Sequence, residues 1–318
     1  MTAVSFDRGR MQPRLADLAR AGVFVGTSSW KYPGWLGQLY DRARYVWRGR
    51  YAETRFERNC LVEYAEVFKT VCVDAAYYKF PDARALEGLA SQVPMDFQFA
   101  FKVTDEITIK RFPNQPRFGP RAGQPNANFL NAALFASAFL APCEAIRAKV
   151  GLLMFEFSRF YPSDLARGRD FVAALDAFLG MLPRGWPYGV EIRNASFLQP
   201  EYFATLARHG VAHVFNSWEA MPPVNEQVAL PGSLTNSELA AMRLLLRPGR
   251  RYEDAVKLFS PYDRLQEPQP EARLAAARLI DAARQTARPR RLFVFVNNRF
   301  EGNALATIAA IVESTITP

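Results

Sequence analysis

The sequence predicts an α/β fold, a closed parallel (β/α)8 barrel with long loops after its first, third and seventh strands. Three observations predict it. Eight short apolar runs recur along the chain, and each is followed by a stretch of helical periodicity. No Pro/Ser-rich linker divides the 318 residues. The chain is 49% apolar and 13% aromatic, enough to fill one barrel-sized core. A doubly wound open sheet is the rival architecture.

The elements follow in order. Residues 1–21 read as an N-terminal extension with a short amphipathic helix over 11–21, and 22–318 as the barrel domain. Val23 opens an apolar strand that ends in small polar residues, and Pro33 and Gly34 then turn the chain. A long basic loop with Arg42, Arg44, Arg48 and Arg50 leads to a helix over Arg55–Phe68, spaced by Phe56, Cys60, Tyr64 and Val67. Next come a strand over Thr70–Ala76, a helix near 82–92 and a strand over Phe97–Val103. The loop from 105 to about 127 is rich in Pro, Gly and Arg, and loops that long are usually functional. A helix near 128–147, a strand over Gly151–Phe157, a helix near 168–180 and a strand over Tyr188–Arg193 continue the alternation. Helix 200–209 precedes the strand Val211–Ser217, and a short helix near 236–241 precedes a strand over Met242–Arg247. One main helix near 270–286, the strand Leu292–Asn298 and a helix over Gly302–Glu313 close the chain.

Composition removes several functions. The first ten residues hold charges and no apolar core, so nothing there reads as a secretory signal, and Phe129–Cys143 is too short for a membrane span. Cys60, Cys72 and Cys143 lie far apart without C-x-x-C spacing, which suits a reducing cytoplasm and core packing. There is no G-x-G-x-x-G, P-loop or G-x-S-x-G. With only His209 and His213, both read as structural, a multi-histidine metal site is excluded, whereas a magnesium or manganese ion on Asp74, Glu156 and Glu191 stays open.

The candidate site starts from Tyr188–Ser196. A period of two puts Glu191 and Arg193 on one face of the fifth strand, and buried charges persist only when paired or hydrogen-bonded. Catalytic residues in such a barrel sit at the C-terminal ends of the strands. Those ends hold Thr27, Ser28, Asp74, Lys102, Glu156, Glu191, Arg193, Asn216, Asn297 and Asn298. Glu191 and Glu156 are the acid/base candidates, and Arg193 and Lys102 the anion binders. The competing reading is an interior ion-pair network. The fourth and fifth strands hold the two glutamates, but the seventh has no acid at its end, which counts against a glycosidase pair.

Three stretches carry a family resemblance: Val25–Trp35 (VGTSSWKYPGW), Phe97–Thr108 (FQFAFKVTDEIT) and Val296–Ala304 (VNNRFEGNA). They resemble the YecE-like family, catalogued as domain of unknown function 72, over roughly residues 22–312. The resemblance implies a TIM barrel and no established activity. It points to Gly26, Thr27, Ser28 and Trp30 after the first strand, Lys102, then Glu191 and Arg193, and finally Asn297, Asn298 and Gly302. Where many relatives carry Glu-Asn and Gln, this chain has Asp74-Ala75 and Glu156, and the extra carboxylate bears on ligand choice.

The net charge is +9, carried mostly by arginine, which favours an anionic partner. The first expectation is a small anionic, sugar-like or phosphate-like ligand at the mouth, bound by Thr27, Ser28, Trp30, Asp74, Lys102, Arg193, Asn216, Asn297 and Asn298. Hydrolase, lyase or isomerase chemistry would fit such a site. The second is nucleic acid on the basic loops, with Trp30, Tyr32, Trp35, Tyr40, Tyr45, Trp47 and Phe112 as stacking groups. The third is a non-catalytic scaffold. No membrane partner is expected. Arg184, Arg208, Arg288, Arg290 and Arg291 fall at the opposite end of the barrel.

Overall fold

Eight parallel strands close into a barrel in the computed structural model, which describes residues 6–165, 167–285 and 290–316. The strands are β1 Val23–Thr27, β2 Thr70–Val73, β3 Gln98–Lys102, β4 Val150–Phe157, β5 Tyr188–Ile192, β6 Ala212–Ser217, β7 Leu239–Leu244 and β8 Arg291–Val296. Each pairs with its neighbours in sequence, and β8 returns to β1 with Val23 opposite Leu292 and Thr27 opposite Val296. The closing seam is uneven: β1 and β2 share the single pairing Thr27 with Val71. Among the described residues no helix is long and apolar enough to cross a membrane.

Strand alternation divides the core in two. Phe24, Cys72, Ala100, Leu152, Met154, Val214, Ala241, Phe293 and Phe295 fill the barrel interior, and the opposite faces of the same strands join the larger core beneath the helices. Most strands are therefore apolar on both faces over much of their length, which explains why they read as continuous runs. The helix Arg8–Arg20 buries Met11, Leu15 and Leu18, and Arg8 reaches the buried Glu63, so this part of the extension is packed onto the barrel. Residues 1–5 of the extension, residue 286 of the expected 270–286 helix, Arg288 and the last two residues lie outside the described residues.

Several expected elements differ. The helix expected near 236–241 does not form, and β7 begins at Leu239, three residues earlier than the sequence suggests. The Asn236 side chain accepts from the amides of Glu238 and Leu239, as a helix cap does, but the chain then extends. Ala240, Ala241 and Met242 are good helix formers, overridden here by pairing with β6 and β8. The short helix lies instead at Val224–Ala229. The helix near 128–147 is broken into Ala132–Leu134, a π segment Phe135–Leu140, Ala141–Cys143 and a 3-10 stretch Glu144–Lys149. Pro142 falls just after the π segment and has no N–H to return to the preceding turn. The connection from β7 to β8 carries two helices, Tyr252–Phe259 and Pro270–Gln285.

The loop from 105 to 127 is folded. It contains the helix Asp105–Thr108, and its Ile109, Phe112 and Phe118 form a small core with Tyr77 from the segment after β2. The loop after β1 is likewise packed: Trp30, Trp35, Tyr40 and Tyr45 are buried, with Tyr40 and Tyr45 edge-on to Phe56 at 5.1 and 5.0 Å. Most of the aromatics expected to stack on bases are core residues; Trp47 alone among the seven is exposed.

Candidate functional site at the barrel mouth

Where the inward positions reach the C-terminal ends of the strands, the apolar filling gives way to charge. Lys102 ends β3, Glu156 lies near the end of β4, Glu191 faces it as its register partner on β5, and Arg193 follows β5. All are buried, and all are brought together. Lys102 Nζ and Arg193 Nη2 each lie 2.8 Å from Glu156 Oε2, and Arg193 Nε lies 3.1 Å from Glu191 Oε1.

A fifth member was not expected. Arg243, on β7, places Nη1 2.8 Å from Glu156 Oε2 and 2.7 Å from Glu191 Oε2, and Nη2 3.6 Å from Asp74 Oδ1. The late start expected for β7 put Arg243 at the wrong end of its strand. Counting inward positions as Leu239, Ala241 and Arg243 would have found it. Two aromatic partners were also missed. The Arg193 guanidinium lies 3.6 Å from the ring centroid of Trp218, and Lys102 Nζ 3.9 Å from that of Tyr77.

The electrostatics follow from the packing. Burial pushes the Glu156 carboxyl up, but the charges of Arg193, Lys102 and Arg243 outweigh it and hold the group well below the usual carboxylate range. Burial works against the charge on Lys102, yet Glu156 and Asp74 raise its pKa above the ordinary value. The same contest leaves Arg243 firmly charged, with Glu191 its strongest partner. Three buried cations therefore face two buried carboxylates. Asp74 stands at the edge with 33% of its side chain exposed.

The remaining expected residues divide. Ser28 is buried and its hydroxyl has no hydrogen-bond partner among the described residues; the same holds for the Trp30 indole nitrogen, Asn216 Oδ1, Asn298 Nδ2 and Arg243 Nε. Asn216 Nδ2 donates to the Ile192 carbonyl at 3.1 Å. The oxygens of Asn297 and Asn298 are engaged locally, accepting from the amides of Arg299 at 2.9 Å and Ala304 at 2.7 Å. Thr27 is turned to the helix layer, where its Oγ1 lies 2.9 Å from the Tyr64 hydroxyl and donates to the Ser29 carbonyl.

His213 is buried among Tyr202, Phe203 and Phe215, and desolvation lowers its pKa to about 3. His209 pairs with Asp176 on the outer wall. Among the described residues no three His, Cys, Asp or Glu side chains are grouped to hold a metal ion, and the donor oxygens of Glu156 and Glu191 already face cationic nitrogens.

The arginines of the loops after β3 and β7 are largely paired. Arg111, Arg117 and Arg121 meet Asp164, Asp105 and Glu106, and Arg247 and Arg250 share Glu267.

The sequence profile of the family described as "Protein of unknown function DUF72" matches residues 24–316. The chain belongs to the DUF72 family. The resemblance carried by the three motifs is to this same family. Among solved structures, two crystal structures of a DUF72 family protein from Enterococcus faecalis V583 share 17% and 18% identity with it. Their TM-scores are 0.59 and 0.58, over 93% and 92% of this chain and 97% and 96% of theirs. A DUF72 family protein from Thermotoga maritima MSB8 shares 20% identity, with a TM-score of 0.55 over 91% of this chain and 96% of that one. At these identities the likeness shows the fold alone. No curated protein matches the chain.

Proposed function

We propose that this DUF72 barrel binds a small anion, a carboxylate or phosphate carried on a polar, hydroxylated body, at its C-terminal mouth. The observation that carries the reading is the buried excess of cations, Lys102, Arg193 and Arg243 against Glu156 and Glu191. Lys102 and Arg193 are the less deeply buried of the three, so they meet the ligand, and the glutamates beneath fix their geometry. The unpartnered groups of Ser28 and Asn298, after β1 and β8, supply hydrogen bonds to the ligand's hydroxyls.

Acid/base work in this setting falls to Asp74, since Lys102, where burial is outweighed by the charges of Glu156 and Asp74, has a raised pKa and stays protonated as an anion binder. A Glu156 carboxyl held far below neutrality has no proton to give and is a weak base. Asp74 is the one carboxylate of the set with appreciable exposure. A resident divalent cation has no place in the reading, because a metal at Glu156 would displace three cationic nitrogens.

Titration with inorganic phosphate, small carboxylates and sugar phosphates, followed by calorimetry, tests this. Lys102→Met should weaken the tightest anion by about tenfold or more, the worth of a charge-assisted hydrogen bond, and the affinity should fall with ionic strength. Equal binding of neutral sugars, or a Lys102→Met protein that binds as wild type, would overturn it.

A further inference from the structure

The loop after β1 buries Trp30, Trp35, Tyr40 and Tyr45, yet leaves Trp47 61% exposed. Trp47 stands on a two-stranded antiparallel ribbon, Val46–Trp47 with Arg50–Tyr51, in which Val46 pairs with Tyr51 and Trp47 with Arg50. Opposed residues share a face, so the indole and the Arg50 side chain project together. The other face is anchored: the Tyr51 ring lies 6.2 Å from Phe56, and the Tyr45 carbonyl accepts from the Ala52 amide at 2.8 Å. Arg48 and Gly49 form the turn with φ of 49° and 77°, positive at both positions as a tight hairpin requires. This brings the Arg48 guanidinium 5.9 Å from the Trp47 ring centroid.

The surroundings are basic. Residues 42–58 hold six arginines and two glutamates. Arg44 is paired with Glu63 and Glu66, whereas Arg42, Arg48, Arg50, Arg55 and Arg58 have no ion-pair partner among the described residues. We infer that this ribbon docks single-stranded nucleic acid, an unpaired base stacking on Trp47 while Arg48 and Arg50 hold the flanking phosphates. The chemistry separates this from other polyanions. A membrane would need a wider apolar face than Val46 and Trp47 offer. A duplex keeps its base faces stacked internally and gives the indole nothing to cover.

Fluorescence anisotropy of a labelled oligothymidylate, with the full chain, tests the inference. Binding should fall steeply with salt. Trp47→Ala should weaken it about fivefold or more, Trp47→Phe should restore most of the loss, and the Arg48→Ala/Arg50→Ala pair should flatten the salt dependence. Trp47 lies mostly in water, so its variants should melt with the wild type. Lys102→Met, at the mouth, should leave oligonucleotide binding unchanged, which keeps this test independent of the small-anion reading. The inference fails if no single strand binds, if Trp47→Ala binds equally well, or if duplex, inorganic polyphosphate or anionic vesicles bind as tightly as the single strand.

Discussion

Arg243 Nη1 bridges Glu156 and Glu191, at 2.8 Å from one carboxylate and 2.7 Å from the other. The two glutamates are register partners on adjacent strands, and Arg193 bridges the same pair, so Arg243 is one of two guanidiniums that hold these buried like charges together. Removing one partner of a buried ion pair usually costs about 3–5 kcal/mol. Arg243→Met should therefore lower the urea-unfolding free energy by about that amount. Arg243→Met combined with Glu191→Gln should recover part of it, because the second change removes one of the stranded charges. A loss under about 1 kcal/mol in the single variant, the range of an exposed pair, would show the bridge to be dispensable.

Two buried groups set two different pH windows. Glu156 is held below its unfolded value, so its contribution is present above about pH 4.3 and is lost as the pH falls toward its folded pKa. His213 is buried neutral with a pKa of about 3, so the folded state binds fewer protons than the unfolded chain below about pH 6.5, and stability declines from there downward. His213→Phe should flatten the stability profile from about pH 6.5 down to about 3, and Glu156→Gln only below about pH 4.3. Chemical denaturation at each pH measures both slopes. A Glu156→Gln profile that departs from wild type above about pH 4.3, or a His213→Phe profile unchanged between about pH 6.5 and 4.5, would refute the assignments.

The barrel was legible because strand and helix periods alternate along the chain, and Glu191 and Arg193 could be placed together because β5 is short and bounded. Arg243 was not legible. Its strand is apolar on both faces, so periodicity gave no register, and Asn236 offers the amide-accepting pattern of a helix cap just before it. Which donors of Ser28, Asn297 and Asn298 remain available depends on local capping bonds, and the partners of Arg111, Arg117 and Arg121 depend on how a long loop folds. Residue order alone carries little of that.

The third motif owes much of its character to support. Glu301 is fully buried, and it accepts from Arg273 Nε at 3.0 Å, Arg273 Nη2 at 2.7 Å, the Thr307 hydroxyl and the Gln269 amide. This ties the segment before the helix Pro270–Gln285 to the last helix, Ala304–Glu313. Glu301→Ala should destabilise the protein by about 3 kcal/mol, since it removes the buried carboxylate that pairs with the half-buried Arg273 guanidinium. Anion affinity at the mouth should stay within about twofold at temperatures where the variant is folded, because Glu301 touches none of the mouth cations. Calorimetry and urea denaturation on the same preparation separate the two effects.

Gly26 and Gly88 make a paired test of opposite sign. A Cβ at Gly26 would lie 2.3 Å from the Thr70 carbonyl oxygen, at the seam where β1 and β2 share one pairing. A backbone oxygen held in the barrel wall cannot yield, so Gly26→Ala should cost about 1–3 kcal/mol, as overpacking does. It should also speed amide exchange at Val25 to Thr27. Gly88 lies in the exposed helix Ala83–Ala90 with nothing within 4 Å of an added Cβ. There the methyl group restricts only the unfolded chain and raises helix propensity, so Gly88→Ala should stabilise by about 0.4–1 kcal/mol. Denaturant midpoints of the two variants should move in opposite directions, and a Gly26→Ala protein as stable as wild type would mean that the seam has room the close approach at Thr70 denies.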